Sequence, residues 1–154
     1  MPAAYHFVDR WFVPAPVGAV YDAIGAPLAY PSWWGDVFPE TGGDDGPPRP
    51  GRRNSITARG FLPYKLHFST EVTEADRPRS IRLRLEGDFE GGGEWTFEEV
   101  EGGTSATLDW RPIVQKPLVK YLPPVLRPLF RSNHAWTMRR GERHIAEYLL
   151  GPPQ

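Results

Sequence analysis

Four histidines, at positions 6, 67, 134 and 144, are the side chains that titrate near neutral pH without help. They are also the strongest candidate metal ligands in a chain with no cysteine. No two of them form an HxH or HxxxH pair. His134 and His144 stand ten residues apart, about 280° round a helix, so one helix cannot offer both to one ion. No metal is expected. The same lack of cysteine removes a disulfide framework and a thiol nucleophile. Serine hydrolysis has no support, because no G-x-S-x-G occurs and Ser132 and His134 diverge on a helix. Gly91-Gly92-Gly93 is not followed by Lys-Ser/Thr and opens no helix, so it does not cradle phosphate. It reads as a turn between strands, and no cofactor is expected.

The aromatic residues carry more. Trp33, Trp34, Trp95, Phe97, Trp110 and Phe130 come from different parts of the chain and are placed to converge on one interior. They form either an ordinary core or, in part, the lining of a pocket for a flat or lipidic molecule. Asn133 and His134 are adjacent polar residues near the start of a helical stretch. His134 is either a core histidine held by a backbone or strand partner, or a cavity-facing group that binds a carbonyl or moves a proton. It is the one candidate catalytic residue, with Asn133 as a carbonyl-holding partner. Tyr64 at the pocket mouth, Asn54 and Arg111 are weaker candidates, and strand alternation puts Arg111 on an outer face with Asp109.

The elements that position these groups follow from proline placement and periodicity. The chain has 154 residues, the size of one domain spanning 1–154, with 40% apolar residues and a net charge of −1. That balance excludes a disordered tail and a general nucleic-acid binder. No basic region leads an apolar run at the N-terminus, and no 18-residue apolar stretch exists, so a cytoplasmic location is expected and membrane contact is not. Sixteen Gly and 18 Pro punctuate the chain. Only Pro78 falls between Tyr64 and Arg111, and none between Leu129 and Gly151.

The first window is a strand meander. Leu66, Phe68, Thr70 and Val72 share one face, then Ile81, Leu83 and Leu85, then Trp95 and Phe97, then Ala106, Leu108 and Trp110. Asp76-Arg77-Pro78, Gly91–Gly93 and Gly102-Gly103 mark the turns. The second window is a helix over Leu129–Leu150, with an inward stripe of His134, Met138, Gly141, Ile145 and Leu149. A broken approach helix near Leu118–Leu122 precedes it. Earlier, Tyr5–Val13 reads as a strand bulged at Trp11-Phe12-Val13, followed by short helices over Val17–Ile24 and Pro27–Trp34. Pro39–Gly51 reads as a loop and Arg52–Gly60 as a strand with Ile56 and Ala58 inward. Residues 113–154 hold seven basic and two acidic groups, which read as a solvated face.

A long helix with one apolar stripe and a sheet with one apolar face must cover each other. A strongly curled sheet leaves a gap that the helix cannot fill. The expected fold is α+β: a curved antiparallel sheet of six to seven strands wrapped round a long C-terminal helix, with two short helices after the first strand. Phe68, Leu83, Trp95 and Trp110 are expected to line a cavity near or above the roughly 300 Å³ lower bound of ligand sites, opposite Met138.

Five segments resemble the START-like (SRPBCC) superfamily, closest to its polyketide cyclase/dehydrase-like members: Trp11–Pro16 with Val20–Ile24, Tyr30-Pro31-Ser32-Trp33-Trp34, Gly87–Gly91, Trp95, and Asn133–Gly141. The resemblance covers nearly the whole chain and implies the helix-grip fold. The superfamily includes lipid carriers, aromatase/cyclases, hormone receptors and co-chaperones, so it implies a ligand cavity and leaves the chemistry open. The first expectation is a binder of a hydrophobic small molecule, aromatic, polyketide-like or lipidic, with Trp34, Tyr64, Phe68, Leu83, Trp95, Phe97, Trp110, Phe130, Asn133, His134 and Met138 against it. The alternatives are a cyclase/dehydratase using cavity shape with His134 and Asn133, and an interaction module without ligand. Oligomeric state is left open.

Overall fold

Side-chain alternation builds the sheet, and the computed structural model shows it over residues 3–59, 65–115 and 127–151, the residues it describes. Strands β3 (Glu40–Gly43), β4 (Arg53–Ala58), β5 (Leu66–Asp76), β6 (Ser80–Gly87), β7 (Phe89–Val100) and β8 (Gly103–Val114) pair in sequence order, every pair antiparallel. Strands β1 (Ala3–Ala4) and β2 (Phe7–Val13) then lie end to end along the other side of β8, so the sheet is seven positions wide. Helix α1 (Val17–Ile24), a 3₁₀ turn (Pro27–Ala29) and α2 (Tyr30–Trp33) follow β2, and the long helix α3 (Arg127–Leu150) packs on the inner face. This is the α+β helix-grip architecture. No helix among the described residues is long and apolar enough to cross a membrane.

Three local expectations are corrected. Gly91–Gly93 is not a turn: β7 runs straight through it, with Gly91 opposite Leu85 and Gly93 opposite Leu83. The reversal comes earlier, where the Asp88 carboxylate accepts a hydrogen bond from the His67 amide at 2.7 Å and the Asp88 amide bonds the His67 carbonyl. Gly91 needs its glycine for a φ of +103°, where any side chain is strained. The expected bulge in β2 is also absent. Its register with β8 is unbroken from Phe7–Trp110 to Val13–Thr104, and Phe12 simply faces solvent. The irregularity lies in β5 instead, between Val72 and Glu74. Within the expected 39–51 loop, Glu40–Gly43 forms β3, because backbone pairing with β4 outweighs its weak strand propensity. The buried Asn54 amide secures that edge by donating to the Gly42 and Asp44 carbonyls. The expected approach helix at Leu118–Leu122 lies outside the described residues.

Helix α3 presents the stripe its spacing predicts: His134, Met138, Gly141 and Ile145 are buried and Leu149 is half-buried. It comes very close to the rest of the fold at Gly141. A Cβ there would stand 2.5 Å from Cζ2 of Trp34 and 2.7 Å from Cη2 of Trp11. The two indoles, edge to face at 5.3 Å, occupy the space a side chain would need. The Trp34 Nε1 donates to the Thr137 carbonyl at 3.1 Å, so the ring is fixed to the helix it touches.

Opposing effects meet at Gly141. Helix propensity favours Gly→Ala by about 1 kcal/mol, while overpacking a tight core costs about 1–3 kcal/mol. Both neighbours at Gly141 are rigid rings, so overpacking wins. Gly141→Ala is expected to lower the urea midpoint and Gly141→Leu to lower it further. A gain in stability for the alanine variant would show that the helix does not sit this close.

Candidate functional site

The inner face of the sheet and α3 do not meet everywhere. Phe68, Leu83, Gly93, Leu108 and Trp110 all occupy inward positions, yet each is only half-buried. They face a partly open cavity of about 150 Å³. Strands β4 to β8 supply its floor, Tyr30, Trp34, Val37 and Phe38 one wall, and Asn133, His134, Thr137 and Met138 of α3 its roof. The volume is half the roughly 300 Å³ expected. It matches the ~150 Å³ of an apolar cavity that takes a benzene-sized molecule.

Of the residues singled out in the sequence, Trp34, Phe68, Leu83, Trp95, Trp110, Asn133, His134 and Met138 are on the lining. Phe97 is not. Strand β7 extends past the cavity, and the inward position after Trp95 meets α1, where Phe97 packs edge to face on Tyr21 at 5.2 Å. Tyr64 and the Phe130 side chain lie outside the described residues. Arg111 is on the outer surface beside Asp109 at 3.5 Å, and Asn54 is committed to the β3 edge.

Polar groups are few in this lining and each has a definite place. Tyr30 contributes its ring only: its hydroxyl donates to the Ile24 carbonyl, and burial pushes its pKa up. Arg59 is exposed at the rim, with its Nε donating to the Asp36 carbonyl at 3.4 Å. Asp36 in turn pairs with Arg140 of α3 and lies 3.6 Å from Nδ1 of His144. These contacts hold the loop that carries Val37 and Phe38 against the helix.

The four histidines fall in four separate neighbourhoods. His6 bonds Asp109 at 2.8 Å and His67 bonds Thr57 at 3.1 Å, both at the surface. Among the described residues no three His, Asp or Glu side chains come together as a metal site would need.

His134 is the distinctive one. Its Nε2 meets Oδ2 of Asp9 at 2.6 Å, with the imidazole 7% and the carboxylate 23% exposed. The ring is stacked on Phe7 at 3.9 Å and lies 5.1 Å from the Trp110 ring. Asp9 was not foreseen. The signal was present in β2, where Phe7, Asp9, Trp11 and Val13 share the inward face and one of the four is a carboxylate. A carboxylate fixed on one imidazole nitrogen sets the ring orientation and tautomer. His134 thus has a strand partner and also borders the cavity, so the two sequence readings of it are not exclusive.

Removing the carboxylate would leave a buried imidazole donor unsatisfied, at a cost of about 1–3 kcal/mol. Asp9→Ala is expected to lower the unfolding free energy by that amount, seen as a lower urea midpoint, and Asp9→Asn, which keeps an acceptor, to lower it by less. Equal midpoints for all three proteins would show that the pair does not form.

Comparison with known proteins agrees with this architecture. Residues 6–149 match the sequence profile of the family described as polyketide cyclase / dehydrase and lipid transport. No curated protein matches in sequence. Among solved structures, the Zhui aromatase/cyclase from a Streptomyces species superposes with a TM-score of 0.76 at 12% identity, covering 96% of this chain and 94% of that one. A Thermus thermophilus protein superposes at 0.72 with 19% identity, covering 94% and 99%. Protein Ms6760 of Mycobacterium smegmatis superposes at 0.70 with 19% identity, covering 97% and 93%. At these identities the superpositions establish the fold, and the profile match over nearly the whole length establishes kinship: the chain belongs to the polyketide cyclase/dehydrase and lipid transport family.

Proposed function

We propose that this protein binds a small hydrophobic molecule in the cavity between its curved sheet and α3. The observation that carries the reading is the lining itself. Inward-facing side chains from five strands leave a space beneath the helix, and its surface is almost wholly apolar, with tryptophan and phenylalanine rings from several elements. Burying apolar ligand surface there is favourable at roughly 25 cal/mol per Å². The polar groups that could orient a ligand are Asn133 and His134 on α3 and Arg59 at the rim. An apolar fluorescent probe is expected to bind with micromolar affinity and quench tryptophan emission, since Trp34, Trp95 and Trp110 all border the space. Filling the cavity with Leu83→Trp should abolish that binding in a folded protein. Unaltered probe binding in this variant would place the site elsewhere.

The Asp9–His134 pair favours a second reading, catalysis of the cyclase/dehydratase kind. Cavity shape would hold a reactive carbonyl compound in a productive fold, Asn133 would hold a carbonyl oxygen, and His134 would move a proton with Asp9 fixing its ring. The two readings separate in His134→Gln. A carrier loses only part of its affinity, because most of its binding comes from apolar burial. An enzyme keeps affinity and loses turnover. The carrier reading comes first because a single acid–base pair borders the cavity among the described residues.

A further inference from the structure

Gly93 has no backbone reason to be glycine. Its neighbours in the glycine run are accounted for: Gly91 needs its positive φ and has the Arg111 carbonyl 2.4 Å from where a Cβ would stand, and Gly92 faces outward. Gly93 faces inward, has no positive φ, and meets nothing closer than Cδ1 of Trp110, at 3.3 Å from its missing Cβ. A glycine inside a strand costs about 0.5–1 kcal/mol relative to alanine. What it allows here is a ring position. Trp110 is the direct cross-strand partner of Gly93, and its Cδ1 occupies space that a Cβ at 93 would crowd. The indole is held there from three sides: by Phe89 edge to face at 5.1 Å, by Phe7 at 5.7 Å and by His134 at 5.1 Å. The cavity floor therefore includes a fixed aromatic surface, with Met138 of α3 across the gap.

We propose that the cavity selects a planar ring system over a flexible chain of equal carbon count, and that Gly93 sets this selectivity by leaving the Trp110 indole the space a Cβ would crowd. This rests on the cavity-binding reading and adds the shape class of the ligand. The physical reason is twofold. Ring-on-ring contact adds up to about 1.5 kcal/mol beyond area burial, which is about tenfold in affinity. A flexible chain must also give up rotamer freedom on entering, which a rigid ring does not. An alanine at 93 would crowd Cδ1 of Trp110 at 3.3 Å and shift the indole from the position its ring contacts hold.

The test is calorimetric titration of phenol and hexanol, which have equal carbon counts and suit a cavity of this size, into the wild-type protein, Gly93→Ala and Trp110→Leu. Phenol is expected to bind the wild type about tenfold more tightly than hexanol. That ratio should collapse towards one in both variants, with Trp110→Leu serving if Gly93→Ala does not fold. A ratio of one or below in the wild type, or a ratio unchanged in the variants, would overturn the selectivity while leaving the cavity reading intact. Binding of neither compound to the wild type would overturn both.

Discussion

The contact of Gly141 with the Trp11 and Trp34 indoles fixes where α3 sits, and the shape of the interior depends on it. At that point the helix backbone is as close to the sheet as two ring edges permit. Towards the N-terminus contact is partial: Phe7, Asp9 and Trp110 reach His134, while Phe68, Leu83 and Leu108 border a gap that Met138 also lines. Core packing and cavity are thus one arrangement. Two clusters of buried side chains confirm the division. One is built on Trp11, Trp34, Trp95 and Ile145, the other on Phe7, Leu66, Leu85 and Phe89, and the cavity borrows its lining from both.

Two ionisable pairs hold the helix to its surroundings on either side of this gap. Asp9 reaches His134 from β2, and Asp36 reaches Arg140 from the loop after α2. Each pair is partly shielded from water, His134 most of all, so breaking one partner would leave a less well solvated group behind. Their placement also decides which chemistry is within reach. His134 of the first pair borders the cavity, whereas Asp36–Arg140 secures the wall that carries Val37 and Phe38.

Much of the fold was legible because its signals repeat over long stretches. Alternation across β5 to β8 and a stripe of period near 3.6 on α3 leave few other ways to bury their apolar faces, and the START-like resemblance pointed to the same architecture. Short-range signals were misleading where longer-range pairing outweighed them. Three consecutive glycines look like a turn, yet Phe89, Trp95 and Phe97 keep their alternation across Gly91 and Gly93, and that continuity was the better guide. Asp9 looks like an ordinary surface carboxylate until its partner on a helix 125 residues away is in place. Phe97 shows the limit of face assignment: the right face of the right strand still packs on α1 once the strand outruns the cavity. Cavity volume depends on how rings from separate elements settle against each other, which periodicity does not encode.

The most direct test of an open apolar cavity under α3 is a crystal structure of the protein pressurised with xenon, which occupies dry apolar cavities of about 150 Å³. A xenon peak bounded by Phe68, Leu83, Trp110 and Met138 is expected. Side chains filling that space, or only water hydrogen-bonded within it, would show that no open apolar cavity lies there.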